Sequence, residues 1–505
     1  MAAAAPTDVP THGHYIDGEW RESRDGATIE TRNPAHHQEV LAQVARGTAA
    51  DVQDAVAAAR RAFGAWSRTP MPVRGDVIGR AARLLEELKE ELARLMTQEM
   101  GKVLTEARGD VQEGIDMAKY MAGRSRGAVG ETVPSELRQK RCFTERVPLG
   151  VVGCITPWNF PMAIPTWKLL PALLAGNAIV FKPAEDTPLV AIRLVQILIE
   201  AGLPAGVLNL VTGTGEEAGR ALVEHPDVAA ISFTGSVEVG RQVAVSCAGA
   251  GKRVGLELGG KNAMVVLADA DIELAVDGAL WGAFGTSGQR CTATSRMVVE
   301  RSAVGPFTEA LLARVRGLRL GDGLDPATDV GPVINQRQLQ RIHQYSAIGE
   351  AEAAELLHGG TIARDGALAE GWFYTPTVFG EVQPGMRIAQ EEIFGPTAAI
   401  IPVEDAEAAL AAANGTRYGL SLAVYTRDLR RALDAVDRLE AGIVYVNAPT
   451  IGAEIQLPFG GTKATGNGHR EAGATAFDEF TEWKAVYIDY SGRLQRAQID
   501  TAGPA

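Results

Sequence analysis

Residues 151–182 read VVGCITPWNFPMAIPTWKLLPALLAGNAIVFK. Val151–Ile155 is a short apolar run, as expected of a strand buried on both faces. Met162–Leu174 carries helical spacing, and Ala178–Phe181 is strand-like again. The rhythm continues with a helix over Leu189–Ala201, a strand over Val207–Val211 and a helix over Glu216–Val223. It closes with a strand over Ala229–Phe233, a helix over Val237–Ala248 and a strand over Arg253–Leu258. Short apolar strands alternating with helices predict a parallel, doubly wound α/β sheet. Such sheets bind ligands at the carboxyl ends of their strands.

A second alternation extends from about Ala263 to Asn447. It has strands at Met264–Leu267, Met297–Val299, Ala398–Ile401, Leu422–Tyr425 and Ile443–Val446, and a helix at Ile272–Phe284. The glycine-rich stretch Leu258–Asn262 between the two alternations reads as a hinge. Before Val151, helices are expected over Asp51–Trp66, about Val73–Met100 and about Lys102–Gly123, with residues 1–13 as a flexible tail. After the second alternation, Trp483–Tyr490 reads as a strand exposed for subunit contacts.

The 505-residue length suggests about three domains. A net charge of -13 argues against nucleic acid or an anionic membrane as a partner. The four cysteines, Cys142, Cys154, Cys247 and Cys291, form no CxxC pair, and no histidine cluster has ligand spacing, so no metal site is expected. Four thiols suit a reducing cytoplasm. The first residues lack the basic start and long apolar region of a signal peptide. The most apolar stretch, Leu169–Phe181, is interrupted by Gly176 and Asn177 and is too short to span a bilayer.

Cys291 lies in Gly-Thr-Ser-Gly-Gln-Arg-Cys-Thr after a helix. Gly285 and Gly288 permit close backbone approach to a ligand, and Arg290 would favour thiolate. Glu257, in Gly-Leu-Glu-Leu-Gly-Gly-Lys-Asn, is a carboxylate within an apolar strand, and burial would raise it toward a usable general base. Asn159, in Thr-Pro-Trp-Asn-Phe-Pro, could donate to an oxyanion or simply form a turn between prolines. Lys182 ends a strand, and Glu185 three residues on suits ribose hydroxyls over a 2′-phosphate. Phe233-Thr-Gly235-Ser236 opens a helix whose NH groups could hold a pyrophosphate. Gly213-Thr214-Gly215 is a loose relative of the dinucleotide fingerprint or a turn.

These motifs resemble the aldehyde dehydrogenase superfamily. Pro-Trp-Asn-Phe-Pro, Lys-Pro-Ala-Glu, Phe-Thr-Gly-Ser, Glu-Leu-Gly-Gly-Lys, Gly-Gln-Arg-Cys, Glu-Glu-Ile-Phe-Gly-Pro (391–396) and Pro-Phe-Gly-Gly (458–461) occur in the family's order from about Tyr15 to Tyr490. The resemblance implies NAD-dependent oxidation of an aldehyde through a thioester on Cys291. Asn159 and the Cys291 NH would form the oxyanion hole, Glu257 would activate water, and Lys168 would support the active site. Thr156, Pro157, Trp158, Gly215, Phe233 and Gly235 would line the cofactor site. There Lys182 and Glu185 would hold the adenosine ribose, Ser236 the pyrophosphate, and Glu392 and Phe394 the nicotinamide ribose.

Within the family, residues 111–116, Arg290 and residues 447–454 look like the α-aminoadipate semialdehyde dehydrogenases (antiquitins). There, residues matching Glu113 and Arg290 grip ammonium and carboxylate, and the loop at Gly452 and Ala453 caps them. Trp158 and Gln456-Leu457-Pro458 look more like general or 2-oxoglutarate semialdehyde enzymes, and His469 interrupts the usual Gly-to-Arg step. The implied organisation is a Rossmann-like NAD-binding domain (1–125 and 147–258), an α/β catalytic domain (259–460) and a small β oligomerisation arm (126–146 and 481–497) of a homodimer or homotetramer. A CoA-acylating dehydrogenase and a non-catalytic structural member are the alternatives. The intact Cys291, Glu257 and Asn159 weigh against the second, and Glu257 against the first.

Overall fold

The computed structural model describes residues 9–500. Two seven-stranded sheets organise it, with a smaller three-stranded sheet at the end of the chain. The first sheet runs in the order Arg253–Glu257, Ala230–Thr234, Val151–Ile155, Ala178–Lys182, Leu208–Leu210, His14–Ile16, Glu19–Arg21. Its first five strands are mutually parallel. Val151–Ile155, the first of these five in the chain, lies between the second and the fourth. The winding therefore reverses at its carboxyl end, and a crevice opens at Thr156–Asn159.

The sheet is mixed, where the sequence reads as purely parallel. The N-terminal hairpin joins antiparallel, with Tyr15 opposite Leu210, and buries His14, Tyr15 and Ile16. Strands of three residues leave too short a pattern to recognise. The expected tail over 1–13 is also corrected in part. Residues 1–8 lie outside the described residues, but Thr11 and His12 pair with Gln43 and Val44.

Helix Ala49–Trp66 packs on the strand Ala178–Lys182. Thr48 starts it with a capping box, accepting from the Asp51 amide. The helical region expected over 73–100 is two helices, Met71–Glu87 and Lys89–Met100, broken where Leu88 leaves helical geometry at φ -96° and ψ 5°. No proline or glycine marks that break. Helix Leu104–Arg124 follows. Ala163–Ala175 is buried along its whole length and ends at Gly176 with φ +99°. The stretch expected as one helix over 216–223 is a wide turn, Gly215–Gly219, running into Arg220–Glu224.

The second sheet has the order Glu355–His358, Thr377–Gly380, Thr397–Val403, Thr294–Glu300, Asn262–Val266, Ser421–Tyr425, Ile443–Val446. Its first two strands were not legible in the sequence; Glu355–His358 pairs antiparallel at the edge with a register shift. The small sheet joins Thr132–Val133, Lys140–Pro148 and Thr481–Asp489, with Cys142 opposite Tyr487. Among the described residues no helix is long and apolar enough to cross a membrane.

Candidate active site

Helix Ile272–Phe284 ends at a tight turn, Gly285–Gly288, that aims the following residues at the crevice. Thr286 and Ser287 hold φ of 54° and 53°, a left-handed geometry that non-glycine residues keep only when their surroundings enforce it. The Thr286 amide donates to Glu106 at 2.7 Å and Ser287 Oγ donates to the Gly331 carbonyl at 2.7 Å. A Cβ on Gly288 would lie 2.1 Å from the Gly395 oxygen, and one on Gly285 would lie 2.7 Å from a Glu106 oxygen. The two glycines therefore admit other parts of the protein rather than a ligand, which corrects the reading made from sequence.

Cys291 follows this turn, half-buried. Its carbonyl accepts from Asn262 Nδ2 at 2.8 Å, and the same amide nitrogen reaches the Ala293 carbonyl at 2.9 Å. Burial pushes the thiol well above its ordinary value, and the acids Glu257, Glu392 and Glu471 push it further. The expectation that Arg290 would favour thiolate fails. Its guanidinium pairs with Glu106 at 3.2 Å instead.

Asn159 is buried, and its Nδ2 donates to the Gln289 carbonyl at 3.0 Å. Gln289 is in turn fixed by the Ile334 amide at 3.0 Å. One N–H of the carboxamide is thus committed and its orientation set, leaving the second for another acceptor. The Asn159 carbonyl accepts from the buried Lys102 ammonium at 2.7 Å, and Lys102 pairs with Asp110 at 2.9 Å. Asp110 also accepts from the Ala163 amide at 2.7 Å, at the start of the next helix. Lys102 and Asp110 were missed in the sequence because they look like ordinary charges flanking a helix.

Glu257 ends its strand 2 % exposed, and its Oε1 has no hydrogen-bond partner among the described residues. Burial raises its carboxyl well above the ordinary range, the neighbouring Glu471 adds to this, and Lys168 and Arg470 oppose it. Lys168 is fully buried, donates to Ser232 Oγ at 3.0 Å and forms an ion pair with Glu471. Thr234 Oγ1 also donates to Glu471, at 3.2 Å, and His469 lies 2.8 Å from the buried Glu479. The sequence singled out Lys168 and the interruption at His469, but not the two acids: Glu471 sits in an isolated bridge to Phe459 and Glu479 ends the four-residue helix Ala476–Glu479, elements too short to leave a pattern.

Asn159, Cys291 and the residues following Glu257, Leu258 and Gly259, line one cavity of about 870 Å³. Six of the expected cofactor residues, Pro157, Trp158, Gly235, Ser236, Glu392 and Phe394, line it as well. Glu392 accepts from the Gly260 amide at 2.9 Å, and burial brings its carboxyl up to about 7. Trp158 and Phe394 meet edge to face at 5.3 Å. Ser236 Oγ caps helix Val237–Gly249, accepting from Val239 N at 3.3 Å. Thr156 and Phe233 stand directly behind the lining; the Thr156 hydroxyl is buried without a partner among the described residues. Lys182, Glu185 and Gly215 are not part of this lining. Lys182 is buried beside Thr156, its carbonyl accepting from the Thr156 amide at 3.2 Å and its ammonium 3.5 Å from Glu185. Gly215 opens the wide turn nearby.

On the other side of Cys291, Arg290 lies 5.3 Å from the Phe160 ring centre and 6.0 Å from that of Trp281. Glu113 and Ala453 line a separate opening of about 450 Å³, and Gly452, at φ +100°, backs onto Trp281. Burial, aided by Asp110, raises the Glu113 carboxyl to about 8. At neutral pH it is mostly uncharged and a weak partner for an ammonium. Among the described residues no group of three or more His, Cys, Asp or Glu could hold a metal ion.

The pattern of the Aldehyde dehydrogenase family matches residues 20–486. The chain belongs to the aldehyde dehydrogenase family. It is 42% identical over 482 residues, 95% of this chain and 99% of the relative, to the alpha-ketoglutaric semialdehyde dehydrogenase of Bacillus subtilis. It is 42% identical over 478 residues, 94% of this chain and 99% of the relative, to the alpha-ketoglutarate semialdehyde dehydrogenase of Haloferax volcanii. Among solved structures, the betaine aldehyde dehydrogenase of Staphylococcus aureus in complex with NAD+ superimposes with a TM-score of 0.93 at 37% identity, covering 95% of each chain. The aldehyde dehydrogenase fold and enzyme class read from the sequence therefore stand. Neither of these relatives is named for α-aminoadipate semialdehyde; both are named for the 2-oxoglutarate semialdehyde that the sequence offered as the alternative.

Proposed function

We propose that this aldehyde dehydrogenase oxidises a semialdehyde carrying a distal carboxylate, 2-oxoglutarate semialdehyde, to the dicarboxylic acid with NAD as acceptor. The observation that carries the reading is the convergence of Cys291, Asn159 and the end of the Glu257 strand on one cavity. Its lining fits a dinucleotide: a capped helix start at Ser236, an acid at Glu392 and the orphaned Thr156 hydroxyl behind it offer partners for phosphate and ribose. Lys182 and Glu185, at the end of the neighbouring strand, would hold the adenosine ribose, and the acid there favours NAD over its 2′-phosphate form.

The Cys291 thiol first gives its proton up to solvent water; the thiolate then adds to the aldehyde carbon, and the oxygen takes the charge against the free Asn159 N–H and the Cys291 amide. Bound NAD supplies the acceptor for the hydride that leaves that carbon, and a thioester remains on Cys291. Glu257 then takes a proton from water, the hydroxide adds to the thioester carbonyl, and the Cys291 thiolate departs as the acid forms. Lys168, through Glu471, supports the buried charge around Glu257. Arg290 would meet the distal carboxylate. Its guanidinium against Phe160 and Trp281 disfavours a quaternary ammonium, which would need those aromatic faces for itself. Gly452 and Ala453 would close that end, with Glu113 as a neutral hydrogen-bonding wall.

We assign residues 1–125 and 147–258 to NAD binding, 259–460 to catalysis, and 126–146 with 481–497 to an oligomerisation arm. The exposed Trp483, Tyr487 and Ile488 of that arm support a homodimer or homotetramer. The four unpaired cysteines support a cytoplasmic location.

The test is kcat/KM for 2-oxoglutarate, succinate, glutamate and α-aminoadipate semialdehydes and for betaine aldehyde, each with and without CoA. We expect 2-oxoglutarate semialdehyde to lead by about tenfold or more without CoA, and Cys291→Ala to form no NADH while still binding NAD. A lead for α-aminoadipate semialdehyde or betaine aldehyde overturns the substrate reading. Turnover in Cys291→Ala overturns the mechanism.

A further inference from the structure

Glu106 stands in the first turn of helix Leu104–Arg124, where the sequence gives it the look of an acid at a helix start. Its carboxylate leaves that helix and reaches the nucleophile turn. One oxygen accepts from the Thr286 amide at 2.7 Å and from Thr286 Oγ1 at 3.3 Å. The other pairs with Arg290 Nη2 at 3.2 Å, and Arg290 Nε donates back to Thr286 Oγ1 at 3.0 Å. Acid, hydroxyl and guanidinium close a ring around the left-handed Thr286, five residues before Cys291. The ion pair is largely buried, its side chains 10% and 14% exposed, so its charge is poorly screened. Among the described residues no hydrogen bond occupies Arg290 Nη1.

We infer that Glu106 is a positioning and specificity residue with two separable actions. Its hydrogen bonds hold the turn that presents Cys291. Its charge, spent on the Nη2 edge of Arg290, leaves an anionic substrate the Nη1 edge alone and moderates the pull of the guanidinium. The second action rests on the reading of Arg290 as the partner of the substrate carboxylate.

Three variants separate these claims, each assayed with 2-oxoglutarate semialdehyde and with a neutral aldehyde of similar length. Glu106→Gln keeps an acceptor for the Thr286 amide and removes the charge. We expect the ratio of KM for the anionic to the neutral aldehyde to fall about tenfold. Glu106→Ala removes both, so kcat should fall for both aldehydes in parallel, by more than in Glu106→Gln. Arg290→Met should raise the KM ratio. An unmoved ratio in Arg290→Met sinks the substrate reading itself. A raised ratio there with no fall in Glu106→Gln sinks only the charge role of Glu106. Equal kcat in Glu106→Ala and Glu106→Gln sinks the positioning role. If Glu106→Gln does not fold, Glu106→Asp, which withdraws the acid by one methylene, should lower the ratio in the same direction by less, and an unmoved ratio overturns the inference.

Discussion

The two flanks of Cys291 are built from different materials. On the Asn159 side the side-chain amides nearest the thiol bond to uncharged groups, with the Lys102–Asp110 pair held behind the Asn159 backbone: Asn159 on the Gln289 carbonyl, Gln289 on the Ile334 amide, Asn262 on the Cys291 carbonyl. On the Glu257 side they are charges: Glu257, Glu471 and Glu479 against Lys168, with Arg470 and His469 at the margin. Amide hydrogen bonds of fixed geometry chiefly place atoms, and here they act on carbonyls rather than on a group that titrates. Buried charges do the reverse, since each alters the energy of ionising its neighbours. A site that must hold one group still and move a proton on another has reason to use both.

The charged flank should break through stability. Lys168→Met leaves Glu471 facing Glu257 and Glu479 without a buried cation. We expect a loss of about 3–5 kcal/mol of folding free energy, read by denaturant unfolding at pH 7. The sign follows from the shifts. The acids and their hydrogen bonds hold Lys168 above its ordinary value despite burial, and Glu479 sits below its own despite burial, through His469 and Lys168. The contribution of Glu479 is lost as pH falls through its lowered value, and that of Lys168 as pH rises through its raised one. The variant should therefore differ most from wild type between those limits. Equal stability at pH 7 would mean that the network carries no net charge stress.

The neutral flank should break through activity with the fold left nearly intact. Asn159→Ala removes one donor to the oxyanion and one hydrogen bond to Gln289. We expect kcat to fall about 10²–10³-fold, with a stability change of about 1 kcal/mol. Rapid-quench acylation and denaturant unfolding measure the two separately. A large stability loss with modest kinetic loss would reverse the roles given to the two flanks.

The same division marks what could be read from the sequence. The central alternation of strands and helices was legible because short, strongly apolar runs recur between helical stretches at regular intervals. So were Cys291, Glu257 and Asn159, each within a short motif whose neighbours limit its role. The positions of Lys102, Glu106, Asp110, Glu471 and Glu479 were not. A buried ion pair is a fact about two distant segments, such as Lys168 with Glu471, 303 residues apart. Nothing in either segment alone sets such a charge apart from a solvated one. The hairpin over His14–Arg21 escaped for a related reason: three-residue strands acquire their identity from Leu210, against which they pair.

The finest test of the comparison lies on the sulfur where the two flanks meet. Burial is the main cause of the raised Cys291 thiol, and Glu257 is the first of the acids that add to it. A raised thiol is protonated at neutral pH, so alkylation of the free enzyme by iodoacetamide should be slow at pH 7 and rise about tenfold per pH unit. Glu257→Gln removes one acid and keeps the shape. The thiolate then forms more readily, and the profile should move to lower pH, with reaction at a fixed neutral pH faster than in wild type. Asn159→Ala, which carries no charge, should leave the position of that profile where it is. A shift of equal size in both variants would show that packing alone sets the thiol, and the distinction between a flank that positions and a flank that tunes would fall.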